Sequence, residues 1–392
     1  MAFDQRPTLP YELVSAIIAS RDDWSERDLW TFCAVDRTWC QLAQPLLYET
    51  VNMQPRIRTD YSTHKRRARL LRRTLTTCAH LARWPRRLSI AAAQHDHSRY
   101  FNEKVPDGEL YHDFASDAFA IFKACPSISA LEIGLFYSYE AFDDFLMELY
   151  LDKERRITHV HVVRQLPIRE GHSFFPWVYQ TNSIKHLSGD LAFDDDEHWD
   201  ARARPEYNGG IDPPQLVRLD LRAALSRTLG FVLCQTSKLT LTTVSIPAFE
   251  WMWLLDCENI RHVTVKLRPP INATFEEARR DLNNAFQTIQ SCQVVETLVI
   301  TARRNVPHVS AAFGRDETLF WQNWPESITT LNVAGVRELS GQCLVEGLQD
   351  PTTDKFKLPR LRRLVIGPGQ MSEQPMLQAI CRQNDCILQC EH

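Results

Sequence analysis

Leu216-Val217-Arg218-Leu219-Asp220-Leu221 places apolar residues at its first, fourth and sixth positions and charged ones at its third and fifth. Its last four residues alternate with the period of a strand that buries one face and opens the other. The pattern recurs along the chain as Pro85-x-x-Leu88-x-Ile90, Ile128-x-x-Leu131-x-Ile133 and Ile157-x-x-Val160-x-Val162, then as Ile184-x-x-Leu187 closed by Gly189. Leu239-x-Leu241, Ile260-x-x-Val263-x-Val265, Val295-x-x-Leu298-x-Ile300, Ile328-x-x-Leu331-x-Val333 and Leu361-x-x-Leu364-x-Ile366 continue it, with Ile387-Leu388 a ragged last member. Successive units lie 20 to 43 residues apart and centre near thirty, enough for one strand and one helix. Helical spacing of apolar residues between strands fits this, at 115–124, 142–149 and 275–292. A unit this small cannot bury its apolar side alone, so neighbours are expected to stack. The expected fold over residues 85–392 is an α/β solenoid, curved, with an inner parallel sheet and outer helices.

Length and composition agree with a repeat architecture. A chain of 392 residues is too long for one compact core, and 44% hydrophobic content excludes wholesale disorder. The formal net charge of −4 supplies no global basic field for nucleic acid. Met1–Ser20 holds Asp4, Arg6, Pro7, Pro10 and Glu12, so no apolar signal core is read there, and no stretch is apolar enough to span a membrane. The eleven scattered cysteines then read as reduced thiols, and the expected compartment is cytoplasmic, nuclear or both.

Residues 1–52 read differently. Thr8-Leu9-Pro10-Tyr11-Glu12-Leu13 opens an amphipathic helix, a second follows from about Ser25 with Leu29, Phe32 and Cys33 on one face, and a third from Asp36 is expected to stop before Pro45. Three such short helices bury little surface and need a partner. Leu9-Pro10-x-Glu12-Leu13, Ile17, Leu29, Val35-x3-Trp39, Leu42-Ala43-x-Pro45 and Leu47-Tyr48 together resemble the F-box motif, over roughly residues 7–50. The repeats, in turn, resemble irregular leucine-rich repeats, although the Asn or Cys that closes that consensus is mostly missing. The two resemblances imply a substrate receptor with no catalytic site of its own. Leu9, Pro10, Leu13, Ile17, Val35 and Trp39 would face a Skp-type adaptor, and through it a cullin–RING ubiquitin ligase. The alternative is an interaction scaffold that does not direct ubiquitin transfer.

Residues 53–84 form a basic link. Arg and Lys number eleven over 56–87 against the one acid Asp60, while Leu70, Leu71, Leu75, Cys78 and Leu81 recur at helical spacing. An amphipathic helix with a solvated or paired charged face accounts for both facts. Lys65-Arg66-Arg67-x-Arg69 is also a nuclear-import pattern. No aromatic residues interleave the arginines, so nucleic-acid binding is not expected.

In each repeat the third and fifth positions point away from the packed interior. The third positions read Arg87, Ala130, His159, His186, Arg218, Lys238, His262, Thr297, Thr330 and Arg363, and the fifth position adds His161. Seven of the ten third positions are basic or histidine and none is acidic, so the face is expected to hold an acidic or phosphorylated segment of a protein substrate. Asp194-Asp195-Asp196-Glu197 lies in an acidic insertion at 190–212, and a second insertion spans 350–357.

Catalytic signatures are not found. His159-x-His161 has no third ligand nearby in sequence, Cys381-x4-Cys386-x3-Cys390-x-His392 lacks a common zinc spacing, and His95-x-His97 has no evident partner. No phosphate-cradling loop or nucleophile elbow is present, so no enzyme activity and no cofactor is expected.

Overall fold

A computed structural model of the protein describes residues 9–20, 24–53, 61–90, 107–134, 139–151, 156–163, 174, 177–178, 180–189, 214–221, 233–247, 254, 257–267, 287–290, 292–302, 324–336, 339–349 and 356–391. The acidic insertion at 190–212, the His95/His97 pair and most of the helix expected at 275–292 lie outside these residues; 287–290 is helical. The chain packs as two compact units, Met1–Ile157 and Thr158–His392.

The first unit begins with three helices, α1 (Tyr11–Ala19), α2 (Glu26–Val35) and α3 (Arg37–Glu49). Ser25 and Asp28 form a reciprocal capping box at the start of α2, and Asp36 caps α3 by accepting from the Trp39 N–H. Val14, Ile18, Leu29 and Ala43 make a small core, with Trp24, Phe32, Trp39 and Leu42 packed around it. The third helix does not stop before Pro45 but runs through it to Glu49. Proline removes only one N–H, and the continuing apolar face of Leu46 and Leu47 against that core outweighs the lost bond.

Next come α4 (Tyr61–Thr77) and α5 (Ala79–Ala82), with Leu75 and Leu81 buried as their helical spacing requires. Arg72 on α4 reaches Asp117 on α6 (Asp107–Ala124) at 2.6 Å, and Asp117 is buried. Arg67 meets Glu26 at 3.3 Å. Two arginines of the basic segment thus pair with acids distant in sequence. Helix α7 (Tyr139–Leu151) covers the expected 142–149 segment.

Among the described residues this unit also carries three parallel strands: β1 (Thr50–Asn52), β2 (Arg87–Ile90) and β3 (Ala130–Ile133). The first of them was not expected. It pairs Thr50 with Arg87 and Val51 with Leu88, so Tyr48-x-x-Val51-x-Met53 is one more copy of the repeat pattern, written into the end of the helical segment.

Among the described residues the second unit carries nine strands in sequence order, every assigned pair parallel: β4 (His159–Val162), β5 (His186–Gly189), β6 (Arg218–Leu221), β7 (Thr243–Pro247), β8 (His262–Leu267), β9 (Thr297–Ala302), β10 (Thr330–Gly335), β11 (Arg363–Ile366) and β12 (Ile387–Cys390). Parallel neighbours in chain order need a return crossing after every strand, which makes the unit an α/β solenoid-like stack. Helices α8 (Gly341–Leu348) and α9 (Gln374–Gln383) are two of those crossings. The apolar triplets carry the core: Leu216, Leu219 and Leu221 are fully buried, as are Ile328, Leu331 and Val333. Each triplet stacks on the next in register, Leu187 on Leu219 and Leu298 on Leu331.

One repeat differs from its expected position. Leu239 is 68% exposed in a turn, and the strand starts at Thr243. The packed triplet is Leu241-x-x-Val244-x-Ile246, all three fully buried. Leu239-x-Leu241 matched the alternation by chance, and the full three-point pattern two residues on won because it buries three side chains on the stack instead of one.

Beneath the strands runs a feature that the apolar pattern did not reveal. Cys257 Sγ–H points to the Cys234 carbonyl at 3.7 Å, and Cys292 Sγ lies 3.8 Å from the Cys257 carbonyl and 3.5 Å from that of Thr288. These buried thiols sit three residues before the triplet or its equivalent, as does Cys125 in the first unit. The spacing Cys-x-x-apolar in Cys125-x-x-Ile128, Cys257-x-x-Ile260 and Cys292-x-x-Val295 was the available signal.

Candidate functional site

Strand alternation turns the third and fifth residues of each triplet away from the core, and pairing sets them into rows. On β4, β5 and β6 the third-position row is His159–His186–Arg218, each the register partner of the next. The two imidazoles stack face to face, ring centroids 4.1 Å apart and planes within 11°. Thr158 Oγ1 shares a hydrogen bond with His159 Nδ1 at 2.8 Å, which fixes that ring's rotation.

The row behind is His161–Ser188–Asp220–Ser245. His161 Nδ1 and Ser188 Oγ share a hydrogen bond of 2.8 Å. Asp220 accepts from Lys266 Nζ at 2.6 Å, and that ammonium also donates to the Leu221 carbonyl at 2.7 Å. Burial by itself would raise the Asp220 pKa, but the Lys266 bond and charge, with Ser245 and Arg218, outweigh it and hold the carboxyl below its usual range. Arg218 stands 3.8 Å from the same carboxylate, a weaker contact, with about half of its side chain exposed. Burial, the His159 ring and the Arg218 charge lower the His186 pKa below its ordinary 6.5.

Lys238 does not belong to the row. It lies exposed in the turn before β7, and Thr243 holds the place between Arg218 and His262. The correction follows from the five-residue register difference between Leu239-x-Leu241 and Val244-x-Ile246 of the true triplet. The cationic stretch therefore concentrates on three adjacent strands and is interrupted by a hydroxyl. His262 pairs onward with Thr297, while Arg363 on β11 binds Gln389 of β12. Arg87 lies exposed on β2 of the first unit, between Thr50 and Ala130. Lys266, which sequence reading passed over, occupies the seventh position of its repeat, one register step beyond the six-residue pattern.

On the helical unit, large apolar side chains remain outside the core: Leu9 is 50% exposed, Leu13 52% and Val35 58%. Pro10 is also exposed, while Ile17 is half-buried and its carbonyl accepts the Trp24 indole N–H at 3.0 Å. Trp39 is half-buried, its ring 5.1 Å from Phe32, so it serves the packing more than the surface. Trp30, 54% exposed on α2, adds an apolar group that pattern matching did not single out. Burial and the neighbouring Cys40 thiol push the Cys33 thiol up to about 11, leaving it protonated at neutral pH.

Among the described residues no group of three or more His, Cys, Asp or Glu side chains is arranged to hold a metal, and no helix is long and apolar enough to cross a membrane. Cys381 and Cys386 are buried, and their thiols share a hydrogen bond that raises the pKa of Cys381. No protein-family model and no curated protein matches this chain.

Proposed function

We propose that the chain is a non-catalytic substrate receptor of an SCF-type ubiquitin ligase, an F-box segment joined to leucine-rich-like repeats. The observation that carries this reading is the exposure of Leu9, Leu13 and Val35 on a helical unit whose small core is already filled by Val14, Ile18, Leu29 and Ala43. Apolar side chains left outside a completed core serve a partner better than they serve the fold. They fall on the residues that the F-box resemblance assigns to a Skp-type adaptor. The repeat sheet, with its row of histidine and arginine, is the surface offered to a protein substrate, and the chain contributes proximity while other subunits of the cullin–RING ligase transfer ubiquitin.

Pull-down of a Skp-type adaptor with the full chain tests the reading. Wild type is expected to retain the adaptor, and Leu9→Ala/Leu13→Ala to weaken it by tenfold or more, about 1.4 kcal/mol or above. Absence of adaptor binding by a folded wild-type chain overturns the proposal. Adaptor binding with no ubiquitin transfer to any captured protein favours a scaffold that borrows the adaptor.

A further inference from the structure

We infer that the His159–His186–Arg218 row is a proton-gated site for an acidic, carboxylate-bearing peptide segment, closed at neutral pH and opened as the stacked imidazoles take up protons. Three observations meet here. The two rings lie 4.1 Å apart with planes within 11°, on adjacent strands, in line with a guanidinium on the third. That guanidinium is held only loosely by Asp220, whose close partner is Lys266 at 2.6 Å. Stacked imidazoles are comfortable when neutral, whereas two imidazolium ions at that separation, beside Arg218, repel one another unless an anion faces them.

Charge on the surrounding face sets the amplitude of the gate. Among the described residues of β4 to β8, the outward titratable and charged groups are His159 and His161 on β4, His186 on β5, Arg218 and Asp220 on β6, and His262 and Lys266 on β8; β7 contributes Thr243 and Ser245. With the histidines neutral, Arg218 and Lys266 against Asp220 leave one net positive charge. Each histidine that protonates adds another. The lowered pKa of His186 agrees with this, since burial, His159 and Arg218 all oppose its proton until an anion arrives.

The arrangement favours separate carboxylates over one compact phosphate. The row extends over three strands, about 10 Å at the usual strand spacing. A segment with several acidic side chains matches that spread; a single tetrahedral dianion would engage one end.

The inference rests on the repeat sheet being the substrate-holding surface, and the assay uses the full chain alone, without adaptor. Anisotropy of a labelled peptide of about six aspartates is compared at about pH 7.5 and about pH 5.5, a window in which aspartate stays ionised and histidine titrates. Binding is expected to tighten about tenfold or more as pH falls, the consequence of net uptake of a proton. His159→Gln/His186→Gln is expected to flatten the dependence to about twofold or less, while Arg218→Gln weakens binding at both pH values. Circular dichroism confirms that the variants fold, and histidine-selective NMR on the wild type gives a second reading, the imidazole titration moving to higher pH when peptide is added.

Wild-type binding that does not change with pH, or a double variant with undiminished dependence, overturns the gate. Capture of a phosphoserine peptide of equal charge in place of the aspartate peptide overturns the carboxylate assignment. Adaptor retention by the same preparation without pH-dependent peptide binding overturns this site alone and leaves the receptor reading standing.

Discussion

Asp220 shows how one residue can belong both to a recognition surface and to the stability of the sheet. Its carboxylate takes Lys266 from two strands away and the Arg218 fork from its own strand. Lys266 also reaches the Leu221 carbonyl, so it ties the side-chain row to the backbone of β6. A carboxyl whose folded pKa is depressed contributes stability that is present above its unfolded value, 3.8, and is lost as pH falls through the folded one. Lys266→Gln is therefore expected to lower stability by about 1–3 kcal/mol at neutral pH, with the difference from wild type narrowing below about pH 3.8. Urea midpoints measured across that range check it; a gap that stays constant in acid would show that Lys266 acts through packing. His186 responds in the same direction, over a higher pH window. Its folded pKa lies below 6.5, so the stability tied to its neutral form is complete above that value and declines as acid protonates it.

At the scale of the element, the end of β5 is tightly constrained. The strand ends on Gly189 with φ +118°, where a Cβ would stand 1.9 Å from the Val162 carbonyl oxygen of β4. Gly189→Ala is expected to cost about 2 kcal/mol or more, because both the torsion and the contact reject a side chain. Equilibrium unfolding measures it, and a change within experimental error would mean the strand end can shift outward. The strands were legible because a buried triplet repeats in the sequence: Leu219, Leu298 and Leu331 announce themselves by position alone. What was illegible fell into two kinds. Thr50–Asn52 was hidden because its triplet overlaps the end of a helix, so one segment served two patterns. Lys238 was misplaced because Leu239-x-Leu241 satisfies alternation without the first apolar residue that anchors a true repeat. In the candidate site, the histidine row could be read from strand alternation, but neither the ring stacking nor the Lys266–Asp220 pair could. Those depend on which side chains meet across strands separated by 27 to 46 residues.

Across the second unit, stability is distributed between neighbours, since each strand contacts mainly the repeats before and after it. Such a stack does not have to open all at once. Leu298→Ala, removing a fully buried side chain from β9, is expected to cost about 2–5 kcal/mol and to loosen β8 to β10 before the strands at either end. The cysteines supply a way to watch this. Cys234, Cys257 and Cys292 are buried one above another, each within its own repeat, and each reacts with a thiol reagent only when its repeat exposes it. The protein thus carries a natural set of chemical clocks in three neighbouring repeats. In Leu298→Ala, labelling followed by peptide mass analysis should find Cys292 and Cys257 modified sooner than Cys234, and equal acceleration at all three would mean that the stack opens as a single block. Evolution did not have to intend a gauge for the chain to contain one: the same small, soft side chain that fits beneath three neighbouring strands also records, in its rate of modification, how often each of them lets go.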